Sequence, residues 1–316
     1  MVRPKMKSRD IVAKLKAKIS SQLTPFIDAN YWLMEIPHYD NVGDTLIWQG
    51  EMDFLHTLPF NCKRMRALDS QTQWKIEEKD LILFQGGGNF GDLWSKHHDF
   101  KMKIMKEHPN NRFIFFPQTV FFEKKENLER CASFMADFNA VICARDNVSY
   151  GVLKENFKNQ ILLVPDMAFY MNMPRWTRRP FCMKKPLLLK RQDKELKDTE
   201  FLREIQSIPN IDISDWTPMV GKSYYDRLIR RMTAKMHRTG RLYDVYMYYI
   251  YRPYLIRSGV AQILSHTDIY TTRLHACILS ILLNKDRISF LDNSYGKNRS
   301  FYDTWLKDCE SVKMLR

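Results

Sequence analysis

Leu81-Ile82-Leu83-Phe84-Gln85-Gly86-Gly87-Gly88-Asn89-Phe90-Gly91-Asp92 is the stretch on which the fold turns. Its apolar start, Leu81–Phe84, has the length of a strand buried on both faces, the kind found inside a parallel sheet. The glycines behind it let the backbone bend sharply and bring N–H groups close to a ligand, as in an anion-binding nest at a helix N-terminus. A tight turn before a capped helix explains the same residues, although three consecutive glycines exceed what a turn needs. The run is not a Walker loop, because no Gly-Lys-Ser/Thr follows, and it is not a G-x-G-x-x-G dinucleotide fingerprint.

Asn41-Val42-Gly43-Asp44 repeats the N-x-G-D form of Asn89–Asp92, and each copy follows a strand and precedes a predicted helix. For the first copy the spacing predicts a strand over Tyr31–Ile36 and a helix over Thr45–Leu58, with Asp44 as its N-cap. Further strands are read at Asp80–Gln85, Arg112–Phe116, Ala140–Ala144 and Ile161–Val164, with helices at Glu123–Phe138 and Asp146–Asn156. Strands alternating with helices indicate an α/β fold around a parallel sheet. In such a sheet the loops at the carboxyl ends of the strands face the ligand crevice, where both N-x-G-D loops would lie. Around Asn172–Lys185 the composition shifts to Pro, Arg, Lys and Trp, which reads as a linker, and Pro186–Leu189 restarts the pattern. The second half continues with a helix at Glu200–Ser207, a strand at Ile211–Ile213, a helix at Gly259–Ser265, a strand at Asp268–Thr271, a helix at Leu274–Leu283 and a strand at Arg287–Leu291. The expected division is a basic amphipathic helix over 1–23, one α/β lobe over 24–180 and a second over 181–316 carrying an insertion at 222–257.

The 316 residues are 45% hydrophobic and 27% charged. That length fits two domains or one large α/β domain, and the apolar fraction excludes wholesale disorder. No stretch has the roughly 18 uninterrupted apolar residues of a membrane-spanning helix. The basic N-terminus lacks the apolar core of a secretion signal. Cysteines at 62, 131, 143, 182, 277 and 309 show no metal-ligand spacing. They read as reduced thiols in a cytoplasmic protein, with no metal site expected.

The net charge of +14 is concentrated in two places. Residues 1–23 carry seven Lys/Arg against Asp10, and residues 222–257 carry nine against Asp226 and Asp244. Ile11, Leu15, Ile19 and Leu23 recur on one helical face of the first segment, and tyrosines from Tyr224 to Tyr254 interleave the cations of the second. Cationic, apolar and interfacial aromatic groups together suit an anionic lipid surface. A solvated basic face explains them as well. Nucleic acid is not expected, because no helix-turn-helix, zinc-finger or RNA-binding signature is present.

Three loops of the second half could carry chemistry. Thr271-Thr272-Arg273-Leu274-His275-Ala276 lies where a strand passes into an apolar helix. An Arg and a His at a helix start can hold an anion and move a proton there, or they can be a salt-bridged Arg and a structural His. Lys190-Arg191 follows a buried strand directly, as a binding pair or a solvated one. Asp292-Asn293-Ser294-Tyr295-Gly296-Lys297 is a polar loop that binds a ligand or simply turns. His97-His98-Asp99 reads as surface histidines, and Cys277 as a buried thiol on an apolar helix face.

Taken in order, these motifs resemble the polysaccharide pyruvyltransferases. The matches are Asn41–Asp44, Gly86–Asp92, Phe116-Pro117-Gln118, Ala144-Arg145-Asp146 with Ser149, Val164-Pro165-Asp166-Met167-Ala168-Phe169, Arg191, Arg273-Leu274-His275 and Asp292–Lys297. Met167 and Lys190 depart from the usual pattern, and residues 222–257 have no counterpart. The resemblance implies two Rossmann-like lobes like the GT-B glycosyltransferases, with the active site between them. It also implies transfer of a pyruvyl group from phosphoenolpyruvate to a sugar, releasing phosphate and forming a pyruvate ketal. Arg191, Arg273 and His275 match the family's donor-site residues.

On that footing His275 is the expected general acid and Arg273 the group that neutralises departing phosphate. Asp44 or Asp92 would take the acceptor proton, or each would only cap a helix. Arg191, Lys190, Asn41, Gly86, Gly87, Gly88, Asn89, Leu274, Ser294 and Lys297 complete the expected binding set. Phosphoenolpyruvate is the donor and no separate cofactor is expected. The glycan acceptor would be lipid-linked, with residues 1–23 and 222–257 docking the enzyme on the inner face of the cytoplasmic membrane. A nucleotide-sugar glycosyltransferase of the same architecture is the rival enzyme, and a nucleic-acid-binding or scaffold protein the non-catalytic one.

Overall fold

The apolar runs fold as strands, and each strand pairing is parallel. The structure is a computed structural model, and it describes residues 5–68, 75–177, 185–193, 195–216 and 241–315. The chain forms two units, one of Lys14–His38 with Ile47–Met171, the other of the residues up to Ala13, Tyr39–Leu46 and the chain from Asn172 onward.

In the first unit β1 (Tyr31–Met34), β2 (Cys62–Arg66), β3 (Leu81–Phe84), β4 (Gly87–Gly91), β5 (Arg112–Phe121), β6 (Ala140–Ala144) and β7 (Gln160–Leu163) lie in the order β2-β1-β3-β5-β6-β7, with β4 beside β5. Strand β3 pairs with the first half of β5, and β4 with its second half, Gly87 opposite Gln118 and Gly91 opposite Phe121. The glycine run is therefore a strand and not a turn into a helix. Gly91 shows why glycine is needed: at φ +127° an added Cβ would stand 1.8 Å from the Phe121 carbonyl oxygen. Helices α1 (Ser8–Leu23), α2 (Val42–Leu55), α3 (Ser95–Glu107), α4 (Lys125–Met135) and α5 (Asn147–Asn156) accompany these strands. Ile82, Phe84, Phe113, Phe115 and Ile142 from the sheet pack with Ile104, Met135 and Leu153 from the helices in one buried cluster.

The apolar stripe of α1 is spent on the protein. Ile11, Leu15, Ile19 and Leu23 are all buried. Lys16 from its other side donates to the Met171 carbonyl at 2.9 Å and lies over the Tyr170 ring. Whatever α1 offers a lipid surface is charge, not an apolar face.

The second unit holds β8 (Leu187–Leu189), β9 (Asp212–Ser214), β10 (Ile269–Thr271), β11 (Ile288–Phe290) and β12 (Val312–Met314) in the order β12-β11-β10-β8-β9. Its helices include α6 (Glu200–Gln206) and the helices Arg252–Leu264, Leu274–Leu282 and Lys297–Phe301. From β8 the chain moves outward to β9 and then returns to the other side as β10. That reversal leaves a crevice at the carboxyl ends of β8 and β10, the position where open α/β sheets bind ligands. Of the basic aromatic insertion, residues 222–240 lie outside the described residues.

Candidate active site

The carboxyl ends of β8, β9 and β10 present Arg191, Asp215 and Arg273 respectively. Two threonines set the loops against each other: Arg191 N donates to Thr272 Oγ1 at 2.9 Å, and Arg273 N to Thr271 Oγ1 at 2.9 Å. The Arg191 guanidinium is buried and donates to Asp193 at 2.7 and 3.0 Å and to Glu195 at 2.7 Å. Arg273 holds Asp215 through Nε and through Nη2, the latter at 2.7 Å, and stands 3.7 Å from Asp193. Lys297 pairs with Glu195, which also accepts from Tyr295 at 3.2 Å and Asn293 at 3.3 Å. The Ser294 amide donates to the Glu195 carbonyl at 3.1 Å. Lys190 is half-buried, its amide donating to the Ser214 carbonyl at 2.9 Å.

The cations expected from the sequence are thus together, and Arg191, Arg273 and Lys297 are each matched by a carboxylate that sequence reasoning missed. Burial alone would push the Glu195 carboxyl up and the Arg191 guanidinium down. Lys297 and Arg191 outweigh burial at Glu195, which sits below the ordinary carboxylate range. Asp193 and Glu195 likewise hold Arg191 above its usual value. The sign for stability follows. A depressed carboxyl contributes fully above the ordinary carboxylate range and loses that contribution as pH falls through its folded value. Glu195→Gln is therefore expected to lower the urea midpoint near pH 7 and to narrow its difference from the parent protein by about pH 3. Midpoints measured across that range check it, and a constant offset at every pH would contradict the assignment.

The second constellation surrounds the start of α2. Asn41, not Asp44, caps this helix: Asn41 Oδ1 accepts from the Asp44 amide at 3.2 Å, and Asn41 Nδ2 donates to Asp44 Oδ2 at 2.7 Å. Tyr39 Oη also donates to that carboxylate, at 2.8 Å. The His275 ring lies directly against this turn. A Cβ placed on Gly43 would be 2.5 Å from His275 Nδ1 and 3.2 Å from Asn41 Oδ1. Only glycine lets the ring approach so closely. Leu274 is buried at the start of the helix Leu274–Leu282, while Arg273 and His275 flank it on half-exposed positions. Cys277 is fully buried and its thiol is pushed well up.

Asn41, Asp44, Lys190, Arg191, Arg273, Leu274, His275, Ser294 and Lys297 accordingly belong to one unit, whereas Gly86, Gly87, Gly88, Asn89 and Asp92 belong to the other. There, no helix starts at the glycines. The Gly86 amide donates to buried Glu51 at 2.8 Å, so it is not bare. Asn89 meets His97 at 3.3 Å, and its carbonyl accepts from buried Lys101 at 3.2 Å. Lys101 and His97 both converge on buried Glu35 at 2.7 Å, a residue with φ +68° just beyond β1. An acid within the apolar run Met34-Glu35-Ile36 was the one sequence signal of this network. Asp92 takes the amides of Glu123 at 2.8 Å and Lys124 at 3.2 Å and the Asn127 side chain at 2.8 Å, so it fastens the approach to α4 and does not cap its own helix. It also lines a cavity of about 350 Å³ with His98, Phe122 and Arg130. His98 is no surface group: it is half-buried, meets Phe90 and Phe122 edge-on, and burial holds its pKa down.

A family profile described as polysaccharide pyruvyl transferase matches residues 41–295. EpsO of Bacillus subtilis (strain 168), assigned as a pyruvyl transferase, is 30% identical over 98% of this chain and 96% of its own. Pyruvyl transferase 1 of Schizosaccharomyces pombe is 26% identical over 88% of this chain and 70% of its own. Among solved structures, an uncharacterised protein of Klebsiella pneumoniae superposes with a TM-score of 0.66 over 96% of this chain and 98% of its own, at 18% identity. That likeness concerns the fold alone.

Proposed function

The chain belongs to the polysaccharide pyruvyl transferase family, and from that membership we propose that it moves the pyruvyl group of phosphoenolpyruvate onto a sugar of a surface-polysaccharide precursor. The products would be a cyclic pyruvate ketal and phosphate. With this goes a GT-B-like two-lobed architecture, proposed on the same footing. The name pyruvyl transferase carried by two relatives supports the chemistry, and the name EpsO supports an exopolysaccharide setting.

One observation carries the reading: the His275 imidazole is seated on Gly43, inside the turn whose next residue is Asp44, and follows Arg273 by two residues. His275 protonates the methylene carbon of the enol ester, leaving an electron-poor C2. A sugar hydroxyl adds to C2 and gives its proton to Asp44. The C2–O bond to phosphate then breaks, phosphate leaves against Arg273, and the second hydroxyl closes the ring with loss of its own proton. Arg191, Lys190 and Lys297 bind the donor's negative charge. The carboxylate neighbours of Arg191 and Lys297 keep these two in place before it arrives, so little reorganisation is needed. Gly87, Gly88 and Asn89 are proposed as ligand contacts of their own unit, at the switch point between β1 and β3. Peripheral attachment to the inner membrane face through the basic segments is proposed with a lipid-linked acceptor. No helix of the described residues is long and apolar enough to cross a membrane.

Phosphate release from phosphoenolpyruvate, screened against free and lipid-linked galactosides, glucosides and mannosamine derivatives, tests the proposal. Turnover of a nucleotide sugar, with none of phosphoenolpyruvate, would replace it with glycosyl transfer.

Gly43→Ala tests the turn itself. Alanine suits a helix better than glycine by about 1 kcal/mol, so thermal stability should not fall. The new methyl displaces the imidazole, and a displacement near 1 Å is expected to slow transfer about 100-fold. A variant with parental rate would remove the requirement for His275 at this position.

A further inference from the structure

Of the insertion read as basic and aromatic, the described portion presents an apolar ridge. Val245, Tyr249 and Ile250 are exposed to 49%, 69% and 55%. The helix Arg241–Tyr246 passes into a π-helical turn over Met247–Tyr251 and then into Arg252–Leu264. Wide turns of this kind concentrate at functional positions. Here the turn sets Tyr249 and Ile250 side by side outside, while Met247 and Tyr251 are buried.

Tyr251 leads back to the reacting turn. Its hydroxyl donates to Asp40 Oδ1, next to the capping residue Asn41. Farther along the same helical run, Gly259 packs so closely on Val42 that a Cβ would meet its Cγ1 at 2.7 Å. The ridge, the Asp40 anchor and the seat for Val42 are therefore one continuous element.

We propose that Val245, Tyr249 and Ile250 insert into an anionic lipid surface, and that Tyr251 relays this docking through Asp40 to the Asn41–Asp44 turn that seats His275. Lipid is the occupant the observations favour. The segment 222–257, from which the ridge comes, carries nine Lys/Arg against two acids in its sequence, a balance that favours anionic headgroups as the partner. A ridge of three side chains suits the acyl–headgroup boundary, where Tyr is at home. It falls well short of the roughly 1,200 Å² of a stable protein interface. The second half of the proposal rests on reading the Asp44–His275 turn as the acceptor side of the transfer site.

The test uses the full chain with vesicles of phosphatidylglycerol or of phosphatidylcholine alone. Expected is retention on the anionic vesicles at low salt, at least tenfold weaker for the double variant Tyr249→Glu, Ile250→Glu, whose folding is checked by circular dichroism. Amide exchange over residues 39–46 should slow on anionic vesicles in the parent and not in Tyr251→Phe, which still binds them. Equal binding to both vesicle types, unchanged binding of the double variant, or preferential retention on RNA would overturn the docking. Slowing that persists in Tyr251→Phe would overturn the relay. Neither readout uses turnover, so loss of the pyruvyl-transfer reading alone would leave the docking result standing. Should transfer to a soluble acceptor proceed, anionic vesicles are expected to raise it severalfold in the parent only.

Discussion

His275→Ala is expected to slow pyruvyl transfer about 10²–10⁴-fold, the range over which a positioned general acid contributes, while phosphoenolpyruvate still binds. The separation of effects follows from geometry. In the proposed site donor charge falls to Arg191, Arg273 and Lys297, whose positions are set by ion pairs with Asp193, Asp215 and Glu195. Protonation at carbon has no such redundancy, because a carbon acid gains little from the dipoles that bind oxyanions. Alanine at the second residue of the helix Leu274–Leu282 is a favourable helix former, so the fold is retained. The measurement is phosphate release under single turnover together with donor affinity by calorimetry. Loss of donor affinity with chemistry intact would make His275 a binding group, and parental kinetics would remove it from the mechanism.

What the sequence showed of this site divides along a physical line. Local determinants were legible. Leu81–Phe84 is a buried strand because four consecutive apolar residues can be little else beside glycines, and the helix read from Asp146 is α5, which begins one residue later with Asp146 as its cap. Determinants set across the sheet were not. The glycine run reads as a turn until β5, some thirty residues later in the chain, offers Gln118–Phe121 as a parallel partner. Strand β2, Cys62-Lys63-Arg64-Met65-Arg66, lies at the sheet edge and carries charge where a strand signal needs apolar residues. Between Asn41 and Asp44 either could cap α2. Only the backbone decides, because the helix begins at Val42 and puts Asp44 at the third helical position. Asp193, Glu195 and Asp215 were not singled out: the first two follow Arg191 by two and four residues on one loop, but only the folded sheet brings Asp215 to Arg273 and Lys297 to Glu195. Active-site electrostatics is set by such partners, so the sequence could name the cations without revealing that they are neutralised.

Asp166→Ala is expected to cost about 3–5 kcal/mol, the loss typical when one partner of a buried ion pair is removed. Arg145 and Asp166 come from separate sequence motifs at the ends of β6 and β7, and in the folded unit they meet at 2.8 Å with side-chain exposures of 2% and 0%. Asp166 also accepts from the Ala168 amide at 2.9 Å, and Arg145 donates to Thr119 at 2.7 Å. Alanine at 166 takes a carboxylate away from a guanidinium that water does not reach, and opens the turn over Met167–Tyr170 on which α2 rests. That contact is tight: a Cβ on Gly50 of α2 would stand 1.8 Å from the Met167 carbonyl oxygen. The cost is thus desolvation left uncompensated rather than the net worth of the pair. The double replacement Arg145→Met with Asp166→Leu discriminates between the two. Apolar groups of similar volume remove the buried charges together, and the double variant is expected to recover more than half of the stability lost by the single one. Urea denaturation of the parent, the single and the double variants measures both. If the double variant is as unstable as Asp166→Ala, the hydrogen bonds to Thr119 and Ala168 carry the structure instead, and the two motifs form a polar network with no apolar substitute.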